Sequence, residues 1–383
     1  MTSASKANKP RLLILGPLPP PVGGVETVTK AVLESPALNC FEVSHCDTTK
    51  GRPKQTQGKF DFGNIQWAII HFSRMWRSCW RFRPAAVYMP VTATWSGFWR
   101  DAVLAAIARL HGARVIGHVH GAWFDRILVR GGMTEILVRA CLGLFNALLM
   151  LGTPWKQMVE GYGYRGHVFV VPSTLRGELF ETGIQFQRNY ATTEPLGLFV
   201  GQVGERKGVF ELLEALHRLK ERGKSARMVF VGPPEGEGDW EALMKRRAEL
   251  GVEDVSDFMG SLQGDALYQM YRRADYFVLP SHSEGLPVVF FEAGAFGMPV
   301  IGTPVGAVTD LLKNDDNALL VQPGNVDELA VAIERLRNNT KDRERLGSAL
   351  REAIAVYHPD VVCAKIAAAV TGVLPRKLVR RTR

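Results

Sequence analysis

At 383 residues, with 46% hydrophobic and 22% charged side chains, the chain has room for about two domains and the composition of an ordinary globular protein. Its formal charge of +9 calls for an anionic partner: nucleic acid, a membrane surface or a phosphorylated substrate. No uncharged apolar run reaches the roughly 18 residues of a membrane span, no signal-peptide pattern opens the chain, and the five scattered cysteines are expected to be the reduced, mostly buried thiols of a cytosolic protein.

The first expected strand is RLLILG (11–16). The turn after it, LPPPVGGVET (18–27), holds Gly23 and Gly24, which let the backbone approach a ligand closely. FEVSHC (41–46) is the next strand, and TTKGRPKQTQGKFDFGN (48–64) has no periodicity and reads as a mobile loop. On a helix from Ile65 to Phe82, the residues Ile65, Ala68, Ile69, Phe72, Trp76 and Cys79 form one apolar stripe. Opposite it lie His71, Arg74, Arg77 and Arg81, with Trp67 and Ile70 among them. A basic face that also carries Trp suits anionic headgroups, so Trp67, Arg74, Arg77 and Arg81 are expected to face a membrane. Residues 61–140 reinforce this, with six of the eight tryptophans, ten arginines, no lysine and only four acids. The aromatics are spread over several segments without a recognition motif, so nucleic acid is not the expected partner.

Further strands are AAVYMP (85–90), RVIGHVHG (114–121), NALLML (146–151) and HVFVVP (167–172). His118 and His120, two apart in the second of these, are expected on opposite sides of the strand, one packed and one at the ligand edge. They are not read as a metal pair, and no D-x-D, H-x-x-x-H or Cys/His cluster points to a metal. The polar stretch QFQRNYATTEP (185–195) is the expected linker.

The second half repeats the pattern: GLFVGQ (197–202), RMVFVG (227–232), VSDFMG (255–260), YFVLPS (276–281), PVIGT (299–303) and NALLVQ (317–322). Continuous apolar strands between helix-length segments imply parallel sheets covered on both faces, hence two doubly wound α/β domains. Their expected limits are 1–190 and 191–360, with 361–383 as a C-terminal helix and basic tail. In GLFVGQVGERKGVFELLEAL (197–216) a Gly-bearing turn opens a helix, a phosphate-binding arrangement in which Arg206 and Lys207 would neutralise a diphosphate. It is not a Walker loop. SHSEGLPVVFFEAGAFGMPVI (281–301) sets two glutamates eight apart in apolar surroundings. Glu284 falls in a loop at the carboxyl end of a strand, the edge where open α/β sheets bind ligands. Glu292 falls within a short helix, 287–297, begun by Pro287 and ended by Gly297.

In this order, these segments resemble the retaining, nucleotide-sugar-dependent glycosyltransferases of family 4. The likeness covers most of the chain and is strongest over 197–322. It implies the GT-B fold, two Rossmann-like domains facing a cleft, an N-terminal domain for the acceptor and a C-terminal helix returning to it. Glu284 and Glu292 match that family's E-x7-E signature. By this likeness Glu292 would hold the ribose hydroxyls and Glu284 the donor sugar's hydroxyls, with the Gly285 and Leu286 amides facing the sugar or diphosphate. Both carboxylates would then be acceptors that need neither a cation nor a metal. Lys207 matches the phosphate-binding lysine, Gly24 the glycine loop under the diphosphate, and His120 the histidine near the transferred sugar. Gln202 stands where the family often has Arg, with Arg206 as the candidate replacement. PST (172–174) stands where PNG is common.

The likeness implies hexosyl transfer with retention from a nucleoside-diphosphate sugar, with no metal and no cofactor. The acceptor would be a glycan, economically a lipid-diphosphate-linked one at the cytoplasmic membrane face. Two other functions fit the architecture: a nucleotide-sugar epimerase, and a non-catalytic nucleotide-sugar- or RNA-binding protein. The first would need no acceptor, and the second would bind without turnover.

Overall fold

The apolar runs become strands, and each pairs in parallel with its sheet neighbours. The computed structural model describes residues 9–19, 24–48, 62–121, 123–175, 177–236 and 238–375, with 62–67 in backbone only. Contacts divide the chain into two units, Met1–Arg176 with Pro359–Arg383, and Gly177–His358.

The first unit runs β1 (Arg11–Gly16), α1 (Gly24–Glu34), β2 (Glu42–Asp47), α2 (Phe62–Phe82), β3 (Ala86–Val91), α3 (Trp95–Leu110), β4 (Arg114–Val119), α4 (Gly132–Leu142), β5 (Ala147–Met150), α5 (Thr153–Gly161) and β6 (His167–Val170). Its sheet order is β2-β1-β3-β4-β5-β6. Alternate residues of each strand enter opposite cores. Leu13 and Leu15 join Met75, Cys79 and Phe98 on one face, while Leu12 and Ile14 join Val28 and Val32 on the other. Two buried faces are why these strands read as unbroken apolar runs.

The second unit runs α6 (Gly177–Gln185), β7 (Leu196–Val200), α7 (Val209–Glu221), β8 (Arg227–Val231), α8 (Asp239–Glu249), β9 (Ser256–Phe258), α9 (Asp265–Arg273), β10 (Tyr276–Leu279), α10 (Val288–Ala295), β11 (Val300–Gly302), α11 (Val308–Leu311), β12 (Leu319–Leu320), α12 (Val326–Asn338) and α13 (Thr340–Ile354). Its order is β12-β11-β10-β7-β8-β9. The stretch 185–195 is pinned to this unit and is not a free linker. Arg188 donates to the carbonyls of Phe296 at 2.8 Å and Tyr271 at 2.6 Å, and the Tyr190 hydroxyl to Gly297 O at 2.8 Å. Residues 177–190 therefore pack with the second unit, and α6 lies so close to α10 that a Cβ on Gly183 would stand 2.6 Å from the Ala295 Cβ.

A last helix, α14 (Pro359–Val373), returns to the first unit. Val362, Ile366 and Val370 are fully buried there against the Leu12, Val28 and Tyr88 face. Each fully buried Val or Ile contributes roughly 1.5–3 kcal/mol. The stretch Thr340–Val373 has the length and hydropathy of a membrane span. It is nevertheless broken by the turn Ala355–Tyr357.

Helix α2 is rotated from its expected setting. Its buried residues are His71, Met75 and Cys79, with Phe72 and Phe82 packed beside them. Ile69 and Trp76, expected in the core, are 60% and 50% exposed, and His71, expected on the basic face, is buried. Apolar side chains occupy most of the helix circumference, so two stripes about one residue apart in phase compete, and packing on β1 and β2 selects the one through Met75. Arg77 and Arg81 are exposed as expected, and Arg74 is half-buried. The Trp67 side chain, residues 49–61 of the expected loop and the tail 376–383 lie outside the described residues.

Candidate functional site

The second sheet reverses its winding between β7 and β10, which lie side by side. Loops leaving two such strands diverge to opposite faces and open a crevice at their carboxyl ends. Lys207 comes off β7, at the end of the turn Glu205–Lys207 that precedes α7. Glu284 comes off β10 and precedes α10. Lys207 Nζ and Glu284 Oε1 form an ion pair, and Ser281 Oγ donates to the same oxygen at 2.8 Å. Both side chains are mostly buried, Lys207 14% and Glu284 9% exposed. Glu284 therefore does have a cationic partner, contrary to expectation. The two residues are 77 apart in sequence, and only the pairing of β7 with β10 brings them together.

One glycine makes this crossing possible. Gly208 holds φ at +71°, and a Cβ there would lie 2.1 Å from the Pro280 carbonyl oxygen. The Gly285 and Leu286 amides, in the loop after Glu284, donate to no described residue. The Gly285 carbonyl accepts from Ala307 N at 2.9 Å, which fixes the loop.

Glu292 projects from α10 and is half-buried. Its Oε2 accepts from the Tyr271 hydroxyl of α9 at 2.5 Å. Burial, then the Glu292 charge, pushes the Tyr271 phenol well above its ordinary value, so it stays a donor. Gln202 and Arg206 meet: Arg206 Nη2 donates to Gln202 Oε1 at 3.0 Å, while its Nε donates to Glu235 Oε1 at 2.5 Å. The second cation of this turn is thus held by an acid from the loop after β8.

In the first unit the reversal lies between β1 and β3. A cavity of about 380 Å³ opens at the carboxyl ends there, lined by Glu26, His71, Thr92, Arg100 and His120 among others. The His118 and His120 rings stand 4.0 Å apart, on the same side of the chain rather than on opposite sides, as the two-residue period of a strand requires. His118 is fully buried, with Nδ1 2.7 Å from the Tyr88 hydroxyl and Nε2 3.1 Å from Val171 O. Burial lowers its pKa to about 4. Burial, then the neighbouring His118, also holds His120 well below its ordinary value, so it is neutral near pH 7. Gly121 closes the strand end tightly, since a Cβ would lie 2.1 Å from the Ala93 Cβ. Gly24 begins α1 and is exposed, and Gly23 lies outside the described residues.

Beside His120, Asp101 is buried in α3, accepting from Thr92 N at 2.7 Å and from Arg100 Nε at 2.9 Å. Sequence reasoning missed this pair, as it missed Glu26, Tyr271, Ser281 and Glu235. A readable signal existed for one of them: Asp101 sits among Phe98, Ala102, Leu104 and Ala105, where an acid must have a partner. Among the described residues, no group of three His, Cys, Asp or Glu side chains could hold a metal ion.

Residues 181–353 match the family model described as Glycosyl transferases group 1. The sulfoquinovosyl transferase SQD2 of Arabidopsis thaliana is 34% identical over 43% of this chain, and the match spans 31% of that protein's length. A GDP-mannose-dependent alpha-(1-6)-phosphatidylinositol monomannoside mannosyltransferase of Mycobacterium tuberculosis is 28% identical over 70% of this chain and 72% of its own. The crystal structure of Anabaena HepE in complex with UDP-glucose superposes with a TM-score of 0.68 at 18% identity, over 95% of this chain and all of HepE. That likeness shows the fold, two Rossmann-like units of the GT-B kind, and the sequence matches support a glycosyltransferase.

Proposed function

We propose that this chain is a retaining glycosyltransferase of family 4 type, moving a hexosyl group from a nucleoside-diphosphate sugar to a glycan acceptor without a metal. One observation carries the reading: Lys207, Glu284 and the undonated Gly285 and Leu286 amides gather at the switch point of the second sheet, with Glu292 on the helix that follows. That set suits a ligand with a diphosphate beside two groups of hydroxyls.

In this reading Glu292 accepts from the ribose hydroxyls, its second bond to Tyr271 fixing the carboxylate. The diphosphate takes Lys207 from Glu284, and Glu284 turns to the hydroxyls of the sugar. Charge developing on the leaving diphosphate meets Lys207, Arg206 and the N-terminus of α7, the kind of preorganised stabilisation that lowers a barrier most. In the first unit, neutral His120 offers a hydrogen bond to a sugar hydroxyl, and Gly24 at the start of α1 lets the backbone approach a ligand closely. No carboxylate is assigned as nucleophile, so the bond from the anomeric carbon to the diphosphate breaks through an oxocarbenium-like state. The acceptor hydroxyl bonds to that carbon on the same face, and its proton passes to the leaving diphosphate oxygen.

The acceptor we assign is a lipid-diphosphate-linked glycan at the cytoplasmic face of an anionic membrane. The formal charge of +9 supports this, as does a relative whose name includes a phosphatidylinositol acceptor. The deciding experiment is a thermal-unfolding screen of UDP- and GDP-sugars, with and without chelator, followed by NMR of the product's anomeric configuration. A bound donor at 100 times its Kd adds about 2.7 kcal/mol. The reading fails if no nucleotide sugar raises the midpoint, or if the product is inverted. Metal-rescued loss of activity on chelation ends the metal-free part alone.

A further inference from the structure

In a doubly wound unit, each helix ends near the amino end of the strand that follows it, so helix C-termini and strand starts share one edge of the sheet. In the first unit that edge, opposite the His120 cavity, has a composition unlike a solvated surface. Trp76 and Trp80 on α2 are 50% and 64% exposed, and Leu110 at the end of α3 is 76% exposed. The Trp76 ring packs edge-on to His111 with centroids 4.6 Å apart, so α2 and the end of α3 are continuous here. From there Arg109 donates to Asn146 Oδ1 at 2.8 Å. Asn146 lines a cavity of about 610 Å³ whose walls also carry Arg114, Arg139, Arg165 and His167, and no acid among the described residues.

The cavity is built rather than incidental. Arg114 begins β4, His167 begins β6, and Arg139 comes from the last turn of α4. Gly163 leaves room for Arg139, because a Cβ there would stand 2.7 Å from its Nη1. The Tyr162 and Tyr164 hydroxyls are tied to Val129 O and Phe145 O at 2.8 and 2.9 Å, fixing the aromatic wall. Arg139 is partly neutralised by Glu135, but Arg114 and Arg165 make no side-chain hydrogen bond or ion pair among the described residues. One turn earlier on α4, Ile136 and Leu137 are 61% and 48% exposed.

We infer that this amino edge is a docking surface for an anionic phospholipid bilayer, with the arginine-lined cavity taking headgroup phosphates. Unpaired cations call for an anion, and large exposed apolar side chains on the same edge call for hydrocarbon. A bilayer surface supplies both within a few ångströms, which a free phosphate does not. The inference rests on the membrane part of the proposed function. It moves the contact from the α2 face alone to an edge spanning three helices, and that edge leaves the carboxyl end of the sheet open to ligand.

The test is co-sedimentation with phosphatidylcholine vesicles, with and without phosphatidylglycerol, comparing the wild type with an Arg114→Gln, Arg165→Gln double variant. Binding is expected only with phosphatidylglycerol, and about thirtyfold weaker in the variant, from two cations near an anionic surface. Thermal midpoint and nucleotide-sugar stabilisation should match the wild type, which shows that the variant is folded. Equal vesicle binding by the two proteins overturns the inference, as does equal binding to phosphatidylcholine alone. Glycerol phosphate is the second probe. Saturable binding that the variant loses, without vesicle binding, assigns the cavity to a free phosphate ligand and also overturns it. Self-association abolished by Trp80→Ser, without vesicle binding, gives the edge to a second copy. Failure here with nucleotide-sugar binding intact leaves the proposed transfer standing.

Discussion

Lys207 and Glu284 neutralise each other across two adjacent strands, at the point where the second sheet reverses its winding. The pair holds a cation and a carboxylate in place before any ligand arrives. In the proposed reading, an incoming diphosphate would exchange one anion for another around Lys207 and need not strip it of water. The carboxylate so released would become available to the sugar's hydroxyls at the same step.

Lys207→Ala should cut turnover far more than it weakens binding of a free nucleoside, because diphosphate charge grows as the sugar departs. Removal of one such stabiliser costs about 2.7–4 kcal/mol in other enzymes, or a hundredfold and more. Steady-state kinetics beside nucleoside titration checks it. Turnover within threefold of wild type would move the phosphate cation to Arg206.

Glu292→Gln should lower nucleotide affinity tenfold or more, since a charged acceptor for hydroxyls contributes roughly 1.5–3 kcal/mol. The amide keeps an oxygen for the Tyr271 hydroxyl, so the unfolding midpoint should hardly change. Isothermal titration with the nucleoside diphosphate decides the matter, and undiminished affinity removes Glu292 from the ribose.

Gly208→Ala tests the turn itself. A non-glycine residue in the left-handed region costs about 1–2 kcal/mol before any clash, and the new Cβ would press on the Pro280 carbonyl. The expected result is a lower unfolding midpoint together with at least a tenfold loss of turnover, since Lys207 and Ser281 both leave this crossing. A variant that loses stability but keeps full activity would separate the turn from the site.

His118 gives a pH dependence of known sign. Its folded pKa is lowered from 6.5 to about 4 by burial. The unfolded chain therefore binds a proton that the folded chain refuses between those values. Stability from this site is complete above pH 6.5 and lost as pH falls toward 4, by up to about 1.4 kcal/mol per unit. Denaturation midpoints of wild type and His118→Gln should converge as pH falls from 7 to 5. Parallel curves would show that His118 does not titrate in this window.

Strand positions were legible because residues such as Leu12 and Leu13 are buried on opposite faces, which leaves continuous apolar runs. The two glutamates were legible too, since each breaks such a run. What the chain does not display is a partner far along it: Lys207 for Glu284, Tyr271 for Glu292, Glu235 for Arg206. Those pairings are properties of sheet order. The setting of α2 is not legible for another reason, since Trp76 and Met75 are both apolar and only packing on the sheet decides which one faces inward. The opposite sides expected of His118 and His120 conflict with the two-residue period of a strand, which puts them together.

The return of α14 has a consequence for how the molecule is made. The second unit is an uninterrupted stretch of chain, whereas the first is assembled from both ends of it. During synthesis the second unit can close while the first still lacks its last helix. Until Val362, Ile366 and Val370 emerge, Leu12, Val28 and Tyr88 lack the cover that α14 gives that face. The nascent first unit thus waits with an open apolar surface, a target for chaperones and for misassembly. Stop codons late in the reading frame should accordingly be harsher than their distance from either ligand edge would suggest.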